Sequence, residues 1–447
     1  MNKLMWISYI EIYYTYFSSK HFDISRSCAR LTLFEGEFSY KDFLNDNQFD
    51  NLQNSIIGMM VLRPTKINPI GRTLLNPEKL HVGKMYVRTT RFEICLLGKI
   101  YTIRAFPFTS QDTETMSCAE TSIWTILEYY GTRYPEYRTV LPSEILNELG
   151  NLSEERVLPS HGLDFRQKEG LLKKFGFHPR AYSKEIYKND FRKLFHYYVE
   201  SGIPITLSLP GHSVVCIGHA AAEYQLNDDA FTVIGGLSYV DSGAFIKKYV
   251  MIDDNNVPYS VEEYDHFSVF DKEINLFIVP LYKRIFLEAN DALTFFECLL
   301  EKISSLIERH MNTQKLHYDA KENPIIKRIF LTSSRKYKKK RVSNASSMET
   351  KQYYSNILMP KFIWLCEVAT YENYQKGNVM GEIVLDATAA RYDHINSTIL
   401  IRIGDIVGYR RPNEDFSVID QGLQYKMPGF DTEFSLYENN LKEVNEN

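Results

Sequence analysis

A cysteine in the first turn of a predicted helix is the residue of this sequence best suited to chemistry. Ser117 and Glu120 flank Cys118 with the spacing of a capping box, which satisfies the first backbone N–H groups of a helix. Apolar residues then recur at helical spacing on one face as far as Gly131, which suits a helix end. There the helix dipole and unpaired N–H groups favour thiolate over thiol. Cys118 is therefore a candidate nucleophile, although most lone cysteines are simply small buried apolar residues.

A histidine and an aspartate far along the chain supply the partners that such a nucleophile needs. His212 begins a near-continuous apolar strand predicted over 212–218, and a second strand predicted over 245–252 is followed by Asp253. If these strands are antiparallel neighbours, the start of the first lies beside the end of the second. The two side chains would then meet. A nucleophile, a base and a carboxylate that orients the base make up a catalytic triad.

The sequence leaves alternatives open for both partners. Asp254 could replace Asp253, because the register of the two strands, which the sequence does not give, decides which of the two side chains faces His212. At least one of the two aspartates belongs to a turn. His219 could replace His212 as the base, but it lies at the far end of the same strand. His212 alone also fits a surface histidine that precedes a core strand.

Gln111 is the fourth candidate for this site. A side-chain amide that precedes the cysteine can donate to a developing oxyanion together with the backbone N–H of Cys118. Gln111 also fits an ordinary polar loop residue.

These residues resemble the papain-like cysteine peptidase superfamily, most closely its bacterial bacteriocin-processing, double-glycine-type peptidases and their relatives. The shared pattern is a glutamine before a helix that reads C-A-E-T-S-I-W, a helix that ends in Gly-Phe, G-I-P-I followed by G-H-S-V-V-C-I-G-H, and a strand that ends in Asp. The resemblance covers about 105–280. It implies these roles: Cys118 as nucleophile, His212 as general base and acid, Asp253 as orienting carboxylate and Gln111 in the oxyanion hole.

Three departures from the family pattern limit what the resemblance implies. Gln111 precedes Cys118 by seven positions instead of the usual six. The interval from His212 to Asp253 is long, which predicts an inserted hairpin near the cleft. The papain signature around the cysteine is absent, so papain-type substrate preference does not transfer.

The helices and strands that the sequence pattern indicates around these residues predict an α+β fold in three parts. Residues 1–104 read as an N-terminal α+β region, with a polar helix over 40–57. Residues 105–280 read as a papain-like hydrolase domain, in which the cysteine helix packs on an antiparallel sheet that carries the histidine and the aspartate. Residues 281–447 read as a long helix over 287–311 followed by a strand-rich region. A length of 447 residues suits two or three domains.

Composition excludes several classes of function. The chain is 44% hydrophobic and 24% charged with a net charge of −4, so it gives no electrostatic case for nucleic acid or an anionic membrane as partner. The six cysteines are scattered without a CxxC pair, which argues against a zinc site or disulfide framework and for a reducing compartment. No apolar run reaches membrane-spanning length. We expect a cytoplasmic protein without a metal or cofactor.

A basic run over 335–341 and a small group at Arg391, Asp393 and His394 are the remaining polar features. The run predicts a solvated loop or sheet edge rather than a nucleic-acid contact, because a short basic run is a weak motif. The small group is too sparse and irregular for a metal site.

The leading hypothesis is a thiol hydrolase, most simply a cysteine protease that cleaves a peptide or isopeptide bond through a Cys-His-Asp triad and an acyl-enzyme. The same atoms could serve a deamidase or an acyltransferase. The competing hypothesis is a papain-like scaffold used for binding or regulation with little catalysis. The substrate would be a protein or peptide, and the flanking regions could bind a protein partner.

Overall fold

The fold is mixed α+β, with 35% helix, 35% strand and largely antiparallel sheets, which confirms the predicted class. The computed structural model describes residues 6–14, 27–63, 68–80, 83–111, 117–152, 162–227, 230–265, 273–389, 397–409, 427, 429–438 and 440–445. Arg391, Asp393 and His394 lie outside them. No helix of the described residues is both long and apolar enough to cross a membrane.

The N-terminal region forms a five-stranded sheet in the order β1-β2-β3-β4-β8 and a separate hairpin, β6–β7. Its strands are β1 Trp6–Tyr14, β2 Ser27–Phe34, β3 Ile56–Leu62, β4 Ile70–Leu75, β5 Met85–Val87, β6 Thr90–Leu96, β7 Lys99–Ala105 and β8 Pro107–Phe108, and its helices are α1 Tyr40–Leu44 and α2 Phe49–Ser55. The single helix predicted over 40–57 is wrong. Asn45 is extended and its side chain accepts from the Asn47 N–H, which starts a separate 3₁₀ turn, and Ile56 already belongs to a strand.

The central region supplies six of the strands of an eight-stranded sheet, ordered β15-β14-β11-β10-β16-β9. Its helices are α3 Cys118–Arg133, α4 Pro142–Leu152, α5 Phe165–Lys174, α6 Lys184–Tyr187 and α7 Phe191–Glu200; its strands are β9 Phe177–Ser183, β10 Ile205–Leu209, β11 His212–Ala220, β12 Phe231–Ile234, β13 Leu237–Asp241, β14 Lys248–Ile252, β15 Ser260–Glu263 and β16 Leu276–Tyr282. Strand β5 of the first region pairs with the far end of β11 and completes the sheet together with a C-terminal strand.

The C-terminal region contributes five strands to a seven-stranded sheet. Its helices are α8 Ala289–Lys302, α9 Ser304–Gln314, α10 Ser334–Asn344, α11 Met348–Asn356 and α12 Tyr371–Gln375; its strands are β17 Ile325–Ser333, β18 Phe362–Thr370, β19 Asn378–Val379, β20 Gly381–Asp386, β21 Thr398–Ile403, β22 Ile406–Tyr409, β23 Phe434–Ser435 and β24 Lys442–Val444. The sheet order is β12-β13-β17-β18-β20-β21-β22, and β24 pairs with β5 in the central sheet.

Three sequence predictions for these regions are wrong in detail. The helix predicted over 287–311 is two helices, α8 and α9, which meet at Ile303. The basic run is helix α10, where Arg341 is buried against two carboxylates and not solvated. The hairpin inserted between His212 and Asp253 exists as β12–β13, but β13 pairs in parallel with β17 and extends the seven-stranded sheet.

The eight-stranded sheet has a hydrophobic core on each face, as the alternation of side chains along β11 shows. Val215 and Ile217 join the core that contains α3, α4 and α5. Val214 and Cys216 point to the other face and join the core formed with α7, α8 and the seven-stranded sheet. Because both faces are covered, β11 is apolar along nearly its whole length. The helix that carries Cys118 and the strand that carries His212 are thus packed against each other.

Helix α3 extends two residues past its predicted end at Gly131. That glycine does not adopt a left-handed conformation. A Cβ atom there would lie 2.4 Å from the backbone of Arg138, so the glycine permits a close approach of the chain that follows the helix. The helix is also buried along every side from Ala119 to Tyr129, and not along one face alone.

Candidate active site

Cys118 occupies the first position of α3, as the sequence predicts. Ser117 is the extended N-cap residue, and its backbone N–H donates to Glu120 Oε2 at 3.1 Å. The Ser117 hydroxyl bonds to the same carboxylate oxygen. The side chain of Cys118 is half-buried, so its thiol sits where the helix dipole favours a negative charge and where a reagent can still reach it.

His212 and Asp253 meet where β11 begins and β14 ends. The two strands are antiparallel, with Val215 opposite Ile252, so the start of one lies beside the end of the other. His212 Nε2 and Asp253 Oδ1 lie 2.8 Å apart. The same oxygen accepts from the Asn255 N–H at 3.0 Å, and both side chains are buried. The carboxylate is therefore fixed by its own turn and holds the imidazole by one ring nitrogen.

The surroundings of His212 favour its protonated form. Burial lowers its pKa, but the hydrogen bond that it donates to Asp253 and the interaction with the Cys118 sulfur outweigh burial and raise the pKa to about 10. Because Asp253 engages Nε2, Nδ1 is the ring nitrogen left to face the sulfur. The structure thus brings together three of the four predicted site residues.

Asp254, the alternative carboxylate, lies close to the same imidazole but does not hydrogen-bond with it. Its Oδ1 is 3.9 Å from His212 Nε2. Asp254 is 6% exposed, and neither carboxylate oxygen has a hydrogen-bond partner among the described residues. Burial and the neighbouring Asp253 raise its pKa to about 7, although His212 lowers it. Of the two candidates, Asp253 has the orienting geometry.

Gln111 lies at the edge of this site. Its Nε2 donates to Asn255 Oδ1 at 2.8 Å, so the amide contacts the turn that carries Asp253. A primary amide has two N–H donors, and this bond uses one of them. The oxyanion role of Gln111 stays a prediction.

Two serines tie the start of the helix to the start of the strand. Ser122, one turn after Cys118, donates to the Cys118 carbonyl at 2.7 Å and lies 3.1 Å from the Ser213 carbonyl. Ser213 directly follows His212. These contacts fix the separation between the cysteine and the histidine through backbone atoms of both elements.

Lys168 on α5 is a buried charge that sequence reasoning missed. It is 3% exposed, and its ammonium donates to Ser208 Oγ and Ser213 Oγ, each at 3.0 Å. Burial lowers its pKa to about 8, while the negative charges of Cys118 and Glu120 act in the opposite direction. The ammonium therefore lies in the electrostatic field of the cysteine. Its sequence context, R-Q-K-E-G, resembles an exposed helix face and gives no signal of burial.

His219, the alternative base, belongs to a different part of the molecule. Its Nδ1 bonds to the Ala220 carbonyl at 2.7 Å, and its Nε2 lies 3.3 Å from Glu200. It lies at the far end of β11, where this strand pairs with β5. Most of the length of β11 therefore separates His219 from His212 and from Cys118.

The imidazole and the two aspartates are also the one group of described residues whose ligand atoms could hold a metal ion. One ligand atom from each of His212, Asp253 and Asp254 lies within 4.8 Å of the others. A divalent metal would engage the ring nitrogen that Asp253 holds. Metal binding and the hydrogen bond that orients His212 therefore compete for the same atoms.

The other cysteines differ from Cys118 in their surroundings. Burial raises the pKa of Cys216 to about 12 and also raises that of Cys366. Cys95 is exposed, and Cys28 and Cys298 are half-buried. Within the described residues, Cys118 is the cysteine whose sulfur interacts with a histidine.

Comparison with protein families and with curated proteins identified no relative of this chain. No protein-family model matches the chain, and no curated protein matches it.

Proposed function

We propose that this protein is a papain-like thiol hydrolase, most simply a cysteine protease that cleaves a peptide or isopeptide bond. The observation that carries the proposal is the 2.8 Å contact of His212 with Asp253 on an imidazole that also interacts with the sulfur of Cys118. The sulfur stands at a helix N-terminus. A nucleophile, a base and an orienting carboxylate in this order match the requirements of covalent acyl transfer.

In the proposed reaction the Cys118 sulfur attacks the carbonyl carbon of the scissile bond after its proton has passed to His212. The tetrahedral oxyanion accepts from the Cys118 backbone N–H, which has no intrahelical acceptor in the first turn, and from Gln111. His212 then gives its proton to the leaving amine as the C–N bond breaks. Water hydrolyses the thioester, with His212 as the base, and the thiol returns.

Selective alkylation tests the nucleophile. Iodoacetamide at near-neutral pH should label Cys118 faster than the other five cysteines, as measured by peptide mass spectrometry. His212→Ala should remove this advantage, because it removes the imidazolium that stabilises the thiolate. His178→Ala, an exposed histidine on β9, is the matched control. Labelling of Cys118 no faster than the other cysteines would instead support a binding scaffold.

Cleavage itself needs a second experiment, since a reactive thiol is not yet a protease. Cell lysate is incubated with the wild-type protein or with Cys118→Ala, and new peptide termini are identified by mass spectrometry. Termini that appear with wild type alone would identify the substrate class. If alkylation is selective but no new termini form, the acyl chemistry is that of a deamidase or an acyltransferase and not of a protease.

A further inference from the structure

A cleft at the far end of α3 from Cys118 is lined by arginines of the β6–β7 hairpin and of α3 itself. It has a volume of about 790 Å³, and its charged lining residues are Arg91, Glu93, Arg104 and Arg133. Arg133 is in the last turn of α3, fifteen residues after Cys118, which corresponds to ~22 Å along the helix. The cleft is therefore separate from the candidate active site and has a net charge of two positive units.

The hairpin β6–β7 places two of these charges in an unfavourable arrangement. Arg91 and Arg104 are directly opposite each other in the register, and both side chains are exposed. Like charges at directly opposed positions of an antiparallel pair destabilise it. Arg91 lies 3.8 Å from Glu93, whereas Arg104 has no carboxylate partner among the described residues. An anion between the two guanidinium groups would remove the repulsion.

Two arginines next to Tyr134, a lining residue of the cleft, carry positive charge that no acid balances among the described residues. Arg88 is 6% exposed, and its hydrogen bonds go to neutral groups: the hydroxyls of Tyr129 and Tyr134 and the carbonyl of Asn440. Arg133 donates to the Thr89 carbonyl, but its buried Nε has no hydrogen-bond partner within the described structure. A buried guanidinium without a carboxylate is costly unless an anion compensates it.

Tyr134, which lines the cleft, reports the potential there. Burial raises its pKa, but Arg88, Arg133 and the nearby Lys336 outweigh burial and lower the pKa to about 8. The positive field at this phenol is thus strong enough to outweigh the effect of its burial.

We propose that this cleft binds a small molecule that carries a phosphate group, held by Arg91, Arg104 and Arg133. Planar guanidinium groups match the bidentate geometry of phosphate oxygens. Thr90 and Thr132 add hydroxyl donors to the lining. The cleft volume falls within the range of small-molecule sites and exceeds that of a lone inorganic anion, so the phosphate would be part of a larger organic molecule.

Calorimetric titration of the full chain with pyrophosphate and inorganic phosphate, at matched ionic strength, tests the proposal. Pyrophosphate should bind at one site and more tightly than phosphate. The double variant Arg91→Gln, Arg104→Gln should weaken binding at least tenfold, while Arg138→Gln, an exposed arginine paired with Glu144, should leave it unchanged. Equal binding by the double variant, or no binding by wild type beyond that of chloride, would overturn the proposal.

Tyr134 provides a second, spectroscopic readout of an anion bound in the cleft. An anion in the cleft offsets the field of the arginines and raises the pKa of this phenol from about 8. Pyrophosphate should therefore reduce the ultraviolet absorbance of tyrosinate near pH 8, and Tyr134→Phe should lack the change. A spectrum that pyrophosphate does not alter, or one altered equally in Tyr134→Phe, would contradict the assignment. Binding of an oligonucleotide in place of pyrophosphate would also contradict it.

Discussion

Two clusters of buried charge lie on the central and C-terminal regions, and they differ in how completely their polar atoms are paired. The first is the site around His212. The second, here called the ion network, alternates acid and base from the end of α7 across β17, β18 and β20 to α10. Its members are Glu200, Arg328, Glu367, Arg341 and Glu382. Both clusters are buried, so burial alone does not distinguish a reactive site from a structural ion network.

The ion network satisfies its carboxylates. Glu367 accepts from Arg328 at 3.0 Å through one oxygen and from Arg341 at 2.6 Å through the other. Glu382 accepts from Arg341 at 2.7 Å and, through its second oxygen, from the hydroxyls of Tyr337 and Tyr354. Each acid stands between donors from different elements. We infer that this network fixes the orientation of β17, β18, β20 and α10.

The site around His212 leaves polar atoms unpaired instead. Asp254 has two buried oxygens without a hydrogen-bond partner among the described residues, and Lys168 is held by two neutral hydroxyls. The pKa values of His212, Asp254 and Lys168 are all moved toward or across the neutral range. Unsatisfied buried groups with shifted pKa values are typical of sites that transfer protons, because such groups can gain or lose a proton more readily than groups whose hydrogen bonds are all satisfied.

The largest effect that separates the two clusters should come from Glu367→Ala. It leaves two buried guanidinium groups without their shared acid, so we expect a loss of about 3–5 kcal/mol in the free energy of unfolding, measured with denaturant. Glu144→Gln, which removes an exposed partner of Arg138, is the control and should change stability far less. A small loss for Glu367→Ala would mean that the ion network contributes little to stability and does not differ in this respect from the site around His212.

His212→Gln should destabilise the protein by a smaller amount, about 2–3 kcal/mol, and in a pH-dependent way, because it leaves Asp253 buried without its partner. The folded-state pKa of His212, about 10, lies above the unfolded value of 6.5. The stability that His212 contributes is therefore fully present below pH 6.5 and is lost as the pH rises through 10.

Denaturant unfolding of wild type and His212→Gln across this pH range provides the measurement. The difference in unfolding free energy should be greatest near pH 6 and should shrink toward pH 10. A difference that stays constant with pH would show that the histidine is not protonated in the folded protein.

The two clusters also differ in how far the sequence predicted them. His212 and Asp253 were predictable because antiparallel neighbours bring opposite ends together, a rule that needs only the existence of two strands. Cys118 was predictable from a local capping pattern. These contacts depend on chain geometry that short segments encode.

The remaining contacts depend on tertiary packing and carry no local signal. Lys168 sits in a polar helical stretch and is buried only because α5 packs on Ser208 and Ser213. Arg341 lies in a basic run that reads as solvated, yet the acids that pair with it come from β18 and β20. The inserted hairpin likewise joined a sheet that the sequence placed in another region.

Asp254→Asn should have the opposite sign to His212→Gln. The folded-state pKa of Asp254, about 7, lies above its unfolded value of 3.8, so folding binds its proton and stability falls as the pH rises from 4 to 7. Asparagine keeps the shape without the charge. We expect the variant to be more stable than wild type by about 1–2 kcal/mol near pH 8 and unchanged near pH 4. Destabilisation near pH 8 would mean that the ionised carboxylate has a favourable partner, for which a bound metal ion is the first candidate.

The smallest effect, and the sharpest test of the first cluster, concerns Lys168→Met. Its ammonium lies in the field of Cys118, so its positive charge should stabilise the thiolate below its own pKa of about 8. Removing the charge should move the pH profile of Cys118 alkylation to higher pH, because the thiolate loses a nearby positive charge. Lys173→Met, at an exposed position of the same helix, controls for the loss of a lysine from α5. Superimposed profiles for Lys168→Met and wild type would assign the buried lysine to packing alone, whereas a shift would place it in the electrostatic environment of Cys118.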